Sequence, residues 1–322
     1  MHLRLSQSTQ ELLRCPICYA KLQLAGEQFK CTSSECSTCF PIVDGVPVLI
    51  KEQSSIFSIN EVVSHRKAFF SNVSESKLRR VINCLIPTIS KNIKAKSNYK
   101  RMVQILLEQS TSPRVLVIGG RTLGEGMEPL VNNRAIELVE SDVLFGPRTM
   151  LICDAHDIPF EDGVFDAVVV QAVLEHVVDP YRCSEEIYRV LKEGGIVYAE
   201  TPFMQQVHGG RYDFTRFTYL GHRRLFRRFE EIDSGATCGP GMALAWSYQY
   251  FLLSFTTSRI LRTLLIVFAR LTSFYLKYFD YYLINRPGAF DAASGYYFLG
   301  RKSEQVLSDR ALIRLYRGAE RL

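Results

Sequence analysis

Five short apolar runs rich in β-branched residues alternate with polar, helix-length segments between residues 111 and 203. Such runs are typical of buried parallel strands, and their alternation with helices predicts an α/β fold built on a doubly wound sheet. Hydrophobic residues make up 47% of the 322 residues and charged residues 22%, which excludes collagen-like, disordered and disulfide-scaffold proteins. The predicted strands are 114–120, 135–142, 149–155, 165–173 and 196–202.

Local signals predict where the neighbouring elements begin and end. Asp179 followed by Pro180 predicts a helix start, with aspartate as the N-cap and proline at the first helical position. The pair Gly194-Gly195 predicts the end of that helix. Two later strand-like runs predict an antiparallel hairpin that completes the sheet, at residues 229–236 and 294–302.

Five of the nine cysteines fall within the first 39 residues. The N-terminus has no apolar run of the kind found in a signal peptide, so we expect a reducing compartment and a metal site rather than disulfides. The pair Cys15 and Cys18 has the spacing of a zinc knuckle, and Cys31 and Cys36 supply two more ligands for a tetrahedral ion. Cys39 is the alternative to Cys36, and metal-free packing is the alternative to zinc.

The residues after these cysteines, FPIVDGVPVLI, resemble the tail of the small zinc-ribbon activators of tRNA and protein methyltransferases. The resemblance implies a zinc ribbon over residues 1–52. In that family the last cysteine ligand lies four residues before the aromatic residue, which points to Cys36 before Phe40, with Cys31 replacing a cysteine that would lie at Ser33. The predicted zinc ligands are therefore Cys15, Cys18, Cys31 and Cys36.

The motifs of the sheet region follow one another in a specific order. A glycine turn after the first strand is followed by an acidic end to the second, then by DAHDIPF, LEHV and LKEGG. Over about residues 113–203 this order resembles the class I S-adenosylmethionine-dependent methyltransferases, in the subgroup shared with quinone-biosynthesis methyltransferases. The resemblance implies a seven-stranded Rossmann-like sheet, methyltransferase activity and S-adenosylmethionine as the cofactor.

The resemblance also implies which residues contact the cofactor. Asp142, at the end of the second strand, is expected to bind the ribose hydroxyls, with Glu140 as the alternative. Asp154 and the backbone of Ala155 are expected at the adenine. Gln171 ends the fourth strand and is expected beneath the sulfonium.

The glycine turn departs from the family motif, which reads acidic-x-G-x-G-x-G. Val117 occupies the acidic position here, while Gly119 and Gly120 can let the backbone approach the cofactor closely. We predict a longer loop in which Gly124 also lines the cofactor and Glu125 replaces the missing carboxylate. The alternative hypothesis is an adaptor protein with a decayed cofactor site.

A polar loop interleaved with aromatic residues follows the fifth strand, at residues 201–218. Because it lies at the catalytic edge of the sheet, we predict that it forms the substrate mouth. His208 is the predicted base, and Arg211 and Arg216 are predicted to bind an anionic group; a loop-ordering network is the alternative. His176 is predicted to be structural. The further candidates for substrate contact are Glu200, Gln205, Gln206 and Asp213.

Charge and aromatic residues are unevenly distributed along the chain. Residues 66–101 hold ten Lys or Arg against one Glu, and residues 211–228 hold six Arg against one Asp. An aromatic-rich insertion at about 240–290 is predicted to form helices that lie in a membrane interface, with a spanning segment, a packed lid or a dimer contact as alternatives. The predicted divisions are the ribbon at 1–52, a basic helical linker at 53–110, a methyltransferase domain at 111–303 and a tail at 304–322.

These features predict O-methylation of a glycan, glycolipid or lipid-linked acceptor by a cytoplasmic enzyme that is peripheral at the inner membrane. The partner would be a lipophilic or anionic acceptor together with an anionic membrane surface, which the insertion and the basic stretches contact. RNA or ribosome-associated methylation is the alternative enzyme function.

Overall fold

The computed structural model describes residues 2–64 and 86–319. Eleven strands in the described residues form one sheet. The strands are β1 Leu22–Ala25, β2 Gln28–Cys31, β3 Cys39–Val43, β4 Val46–Leu49, β5 Arg114–Ile118, β6 Glu137–Asp142, β7 Leu151–Cys153, β8 Phe165–Gln171, β9 Leu191–Pro202, β10 Phe229–Cys238 and β11 Gly295–Lys302. The helices are α1 Gln7–Glu11, α2 Ile59–Ser64, α3 Ala95–Gln109, α4 Glu128–Val131, α5 Pro180–Val190, α6 Tyr219–Leu225, α7 Pro240–Leu253, α8 Arg259–Ser273, α9 Leu276–Leu283, α10 Pro287–Ala292 and α11 Asp309–Ile313.

Seven of these strands form the predicted doubly wound sheet. Their order is β7-β6-β5-β8-β9-β11-β10, with β5 through β9 parallel and β11 antiparallel to both of its neighbours. All five parallel strands and the hairpin lie where the sequence predicts them. The order reverses beside β5, which is where an open α/β sheet forms a crevice for ligands.

The four N-terminal strands form an antiparallel ribbon that continues the same sheet. Its last strand, β4, pairs in parallel with β7, so that Val48 lies opposite Ile152. Leu13 and Phe40 of the ribbon share a buried cluster with Phe160 of the α/β part. The ribbon is therefore attached to the α/β sheet by both strand pairing and apolar packing.

The segment predicted as a basic linker contains a helix of the α/β core. Tyr99 and Met102 of α3 are fully buried against β5, β8 and β9. Residues 65–85 of the predicted linker lie outside the described residues.

One predicted element boundary is wrong. Asp179 caps α5 as expected, because its side chain accepts hydrogen bonds from the backbone of Tyr181 and Arg182. The helix ends at Val190, however, and Gly194 lies within the first residues of β9 with φ +72°. The left-handed conformation of Gly194 thus serves the start of a strand rather than the end of a helix.

The insertion folds into the four helices α7 to α10, and α7 packs against both α8 and α9. Asp280 of α9 is 1% exposed and accepts hydrogen bonds from the backbone of Gly241 and Met242 at the start of α7. The insertion carries many exposed apolar side chains, among them Ile260 of α8 at 77% and Phe255, in the turn after α7, at 73%. Within the described part of the chain, every helix is too short or too polar to cross a bilayer.

Candidate functional site

A cavity of about 1200 Å³ opens at the carboxyl ends of the parallel strands. It extends from the glycine turn after β5 to the loop that follows β9, and α2 and α7 contribute to its walls. Ligand pockets usually measure roughly 300–1,000 Å³, so this cavity has room for a cofactor and part of an acceptor.

Asp142, the residue predicted to bind the ribose hydroxyls, lies at the end of the cavity near β5 and β6. Asp142 lines the cavity and accepts hydrogen bonds from the backbone of Arg121 and Leu144, at 3.2 and 2.9 Å. Burial raises the pKa of Asp142, and the same backbone groups oppose that rise. The alternative residue, Glu140, is paired with Arg148 at 2.7 Å and does not line the cavity. Of the two candidates, Asp142 lines the cavity and Glu140 does not.

Asp154 lines the cavity but is already engaged by neighbouring side chains. Its carboxylate lies 2.5 Å from Ser55 Oγ and 2.6 Å from His156 Nδ1. Burial alone would raise the pKa of Asp154, but the hydrogen bonds from His156 and Ser55 lower it below its usual value. Ser55 lies six residues after β4 of the ribbon, and the next two residues, Ile56 and Phe57, line the cavity. Ala155, predicted beside the adenine, also lines the cavity.

The glycine turn passes close to the sheet in two places. Gly119 has φ +78°, and a Cβ atom on it would lie 2.4 Å from Cγ2 of Val173. A Cβ atom on Gly124 would lie 2.1 Å from Oε1 of Gln171. Both glycines line the cavity, whereas Gly120 packs against β6 outside it.

Glu125 and Gln171 belong to one hydrogen-bond network at the floor of the cavity. Gln171 donates to the backbone carbonyl of Glu125 and to the carboxylate of Glu200, at 3.1 and 2.9 Å. The carboxylate of Glu125 accepts from the backbone of Asn92 at 3.1 Å. Burial raises the pKa of Glu200, and hydrogen bonds from Tyr198 and three other donors oppose the rise. Glu200 is thus placed to support the floor.

The loop after β9 is ordered by an ion pair. Arg216 contacts Asp213 and donates to the backbone carbonyls of Gln205 and Gln206. Burial alone would raise the pKa of Asp213, but Arg216 and the backbone of Gly209 and His208 lower it strongly. Arg216 and Asp213 do not line the cavity. Arg216 was predicted to bind an anionic group of the substrate. The structure instead agrees with the alternative, in which Arg216 and Asp213 order the loop.

Four of the residues predicted to contact the acceptor line the cavity, namely Glu200, Gln205, His208 and Arg211. The guanidinium of Arg211 lies over the ring of Tyr212 at 5.0 Å. His208 lies 3.6 Å from the carboxylate of Glu175, which raises the pKa of His208. Gln206 instead donates to Ser247 of α7 at 3.0 Å.

Sequence reasoning missed two residues of this corner. Glu175 has 0% exposure, and its carboxylate also lies 3.7 Å from Nε2 of His176. The rings of His176 and His208 are 5.0 Å apart. The signal was present in the sequence as an acidic residue beside a histidine just after a strand, but the partner histidine is 32 positions away in the chain.

The four predicted zinc ligands meet in the ribbon. The sulfur atoms of Cys15 and Cys36 are 3.8 Å apart, those of Cys18 and Cys31 are 3.4 Å apart, and all four lie within 4.8 Å of one another. Tetrahedral zinc with bonds of ~2.3 Å separates its sulfur ligands by about 3.8 Å, so the cluster fits a zinc ion. Cys39 is exposed and lies outside the cluster.

Hydrogen bonds around the cluster favour thiolate ligands. The backbone of Ser33 donates to Cys31 Sγ at 3.4 Å, and Thr38 Oγ1 lies 3.2 Å from Cys36 Sγ. The contacts with Thr38 lower the pKa of Cys36 to about 7. Because zinc binds thiolates rather than thiols, a lowered pKa assists metal binding.

Comparison with known proteins agrees with these observations. A family described as "Methyltransferase domain" matches residues 128–199. This part of the chain is similar to the class I S-adenosylmethionine-dependent methyltransferases. It is 46% identical over 87 residues to the ubiquinone/menaquinone biosynthesis C-methyltransferase UbiE of Desulfotalea psychrophila. The aligned segment covers 26% of this chain and 34% of that protein. The chain spans between 24% and 34% of the length of three curated methyltransferases that it matches.

The cysteine segment has relatives of its own. It is 31% identical over 52 residues to a UPF0434 protein of Pseudoalteromonas translucida, covering 16% of this chain and 80% of that protein. The N-terminal part of the chain therefore belongs to the UPF0434 family. Among solved structures, a putative sarcosine dimethylglycine methyltransferase from Galdieria sulphuraria aligns with a TM-score of 0.42 and 13% identity, over 66% of this chain and 87% of that one.

Proposed function

We propose that this protein transfers a methyl group from S-adenosylmethionine to a hydroxyl oxygen of a glycan, glycolipid or lipid-linked acceptor at a membrane face. The observation that carries the proposal is the single cavity that holds both sets of groups. Gly119 and Asp142 lie at one end, and His208, Arg211 and Gln205 lie at the other.

The residues at the first end fit the cofactor. Asp142 presents a carboxylate to the cavity at the switch point of the sheet, where ribose hydroxyls are commonly bound. Gly119 leaves the backbone uncovered beside it. When bound, S-adenosylmethionine supplies a methyl group on a positively charged sulfur. The chain's part is to orient the acceptor and to exclude water, which can provide much of the rate enhancement of such a displacement.

The opposite end suits an acceptor with both polar and apolar parts. Arg211 offers a positive charge beside the cavity, while Phe57, Phe214 and Met242 line its walls with apolar surface. An oxygen acceptor must also lose a proton, and His208 lies at this end with the carboxylate of Glu175 behind it.

The insertion connects this mouth to an exposed apolar surface. Tyr250 of α7 donates to the backbone carbonyl of Val207 at 2.9 Å, and Trp246 lies 6.3 Å from the ring of His208. Beyond them, exposed apolar and aromatic side chains cover α7, α8 and α9. Helices of this kind bind the boundary between lipid headgroups and acyl chains, and cations on them favour anionic lipids.

Transfer of tritium from labelled S-adenosylmethionine to extracted membrane lipids and lipid-linked glycans tests the proposed reaction. We expect label in the lipid or glycan fraction with the full chain and a large loss with Asp142→Asn. Label in an RNA fraction instead would support the alternative acceptor, and label in none of the fractions would contradict methyl transfer to these acceptors.

Co-sedimentation with vesicles of phosphatidylglycerol and phosphatidylcholine tests the membrane part. The double variant Phe255→Ser, Ile260→Ser should sediment less than the wild type, because both exposed side chains contribute apolar area to binding. It should still bind S-adenosylmethionine, since neither residue lines the cavity. Equal sedimentation of the wild type and this variant would refute membrane contact through the insertion.

A further inference from the structure

The acceptor end of the cavity contains a cluster of one carboxylate and two imidazoles. Oε1 of Glu175 lies 3.7 Å from Nε2 of His176 and 3.6 Å from Nε2 of His208. One ligand atom from each residue lies within 4.8 Å of the other two. All three residues line the cavity, so the cluster is accessible to an ion and to an acceptor.

The carboxylate of Glu175 is buried without a hydrogen bond. Its exposure is 0%, and neither of its oxygens has a hydrogen-bond partner among the described residues. The two histidine nitrogens lie 3.6 and 3.7 Å from Oε1 of Glu175, which is too long for a hydrogen bond. Burying a carboxylate without a nearby positive charge is unfavourable, and a cation held by Glu175 and the two histidines would supply that charge.

Both histidines present the nitrogen that a cation needs. Nδ1 of His176 lies 2.8 Å from the backbone carbonyl of Tyr212, and Nδ1 of His208 lies 3.2 Å from the carbonyl of Gln206. A carbonyl only accepts hydrogen bonds, so each Nδ1 carries the proton and each Nε2 keeps a lone pair. Metal-binding histidines are commonly oriented by hydrogen bonds of this kind.

Arg216 does not alter this assignment. Its Nη2 lies 3.4 Å from Nδ1 of His208, but it also lies 3.1 Å from the carbonyl of Gln206 and 3.0 Å from the carboxylate of Asp213. A guanidinium Nη carries two hydrogens, and these two closer acceptors use both.

The backbone of the loop after β9 passes close to the ring of His176. A Cβ atom on Gly209 would lie 2.5 Å from both Cε1 and Nδ1 of the His176 ring. The backbone of Phe214 donates to the carbonyl of Glu175 at 2.8 Å, which attaches the mouth loop to the same corner. This loop therefore contacts both the ring of His176 and the backbone of Glu175.

We infer that Glu175, His176 and His208 bind a divalent first-row transition-metal cation at the acceptor end of the cavity. Two imidazoles and one carboxylate form a ligand set that suits zinc, iron, cobalt and manganese and leaves further positions open. With metal–ligand bonds of ~2.1 Å, tetrahedral ligand atoms lie about 3.4 Å apart, only a few tenths of an ångström less than the distances here.

The consequence for methyl transfer rests on the proposed function, whereas binding of the ion does not. A hydroxyl group bound to the cation at an open position becomes more acidic and releases its proton to water. The oxygen then forms a bond to the methyl carbon, and the electron pair of the broken carbon–sulfur bond stays on sulfur. With the cation bound, His208 is a metal ligand and not a base. The cation then promotes the loss of the acceptor's proton, the role first predicted for His208.

The metal content of the full chain tests the inference. After loading with zinc chloride and removal of unbound metal, we expect two zinc ions per wild-type chain, one in the cysteine cluster and one at this corner. Glu175→Gln and His208→Gln should each hold one, because losing a direct ligand weakens binding by more than the ~10–100-fold typical of losing a supporting hydrogen bond. His2→Gln, which changes an exposed histidine outside the cluster, should still hold two.

Thermal unfolding separates loss of the ion from loss of the fold. Without zinc at this corner, Glu175→Gln should unfold at the same temperature as the wild type or higher, because it removes a buried unpaired charge. One zinc per wild-type chain, or two in both Glu175→Gln and His208→Gln, would overturn the inference. Calorimetry with S-adenosylmethionine is independent of this result: binding of the cofactor with no second zinc refutes only the inference, and the reverse refutes only the proposed function.

Discussion

Replacing Gly119 by alanine is expected to destabilise the chain for two separate reasons. The residue has φ +78°, a left-handed conformation that costs an L-residue ~1–2 kcal/mol. The new Cβ would lie 2.4 Å from Cγ2 of Val173, so one of the two must move. Overpacking of this kind costs ~1–3 kcal/mol. We therefore expect the free energy of unfolding to fall by about 2–5 kcal/mol.

A matched glycine isolates the steric part. Gly163 has φ +65°, but a Cβ on it would meet only backbone atoms at 3.9 Å, an ordinary contact. Gly163→Ala should therefore lose only the ~1–2 kcal/mol of the backbone conformation. Urea unfolding at several concentrations gives the free energies of unfolding by linear extrapolation. Adding Val173→Ala to Gly119→Ala should recover part of the loss. Equal losses for Gly119→Ala and Gly163→Ala would refute the close approach to Val173.

Two further predictions concern the ribbon and a buried histidine. Zinc content should fall by one ion in Cys36→Ser and stay unchanged in Cys39→Ser, because only Cys36 belongs to the cluster. Burial and Arg223 lower the pKa of His222 from 6.5 to about 3, so the unfolded chain binds the proton more tightly. Stability from this residue is complete above pH 6.5 and falls with pH down to about 3, reaching a loss of about 3 kcal/mol at pH 4. His222→Leu should reduce the difference in unfolding free energy between pH 7 and pH 4.

Each of these two predictions, on zinc content and on His222, has an outcome that would contradict it. Loss of zinc in Cys39→Ser with retention in Cys36→Ser would exchange the ligand assignment. An unchanged pH dependence in His222→Leu would show that other groups titrate over this range.

The sequence predicted the features of the sheet that depend on local patterns. The apolar run at residues 167–170 predicted a strand that is buried on both faces, as these residues of β8 are. Asp179 predicted a helix start because aspartate is a favourable N-cap independent of how the helix packs. The pairing of β4 with β7 could not be predicted in this way. It joins Val48 to Ile152, about a hundred residues apart, and the apolar run of β4 is equally compatible with an isolated ribbon.

In the candidate site, too, some residues could be predicted from local sequence patterns and others could not. Asp142 was predictable because it ends a strand at the switch point of the sheet. The roles of Arg216 and Glu175 depend on how the loop after β9 folds back onto the end of β8, which no short motif encodes. Arg216 was expected at the substrate but binds Asp213, and Glu175 acquires His208 as a neighbour only through this loop.

Binding of S-adenosylmethionine to the purified full chain, measured by isothermal titration calorimetry, tests the central claim most directly. The account predicts about one molecule bound per chain, with a Kd in the ~1 µM to 1 mM range common for enzyme substrates, and markedly weaker binding to Asp142→Ala. A wild-type chain that is folded and holds its ribbon zinc but gives no binding heat at several temperatures would contradict it.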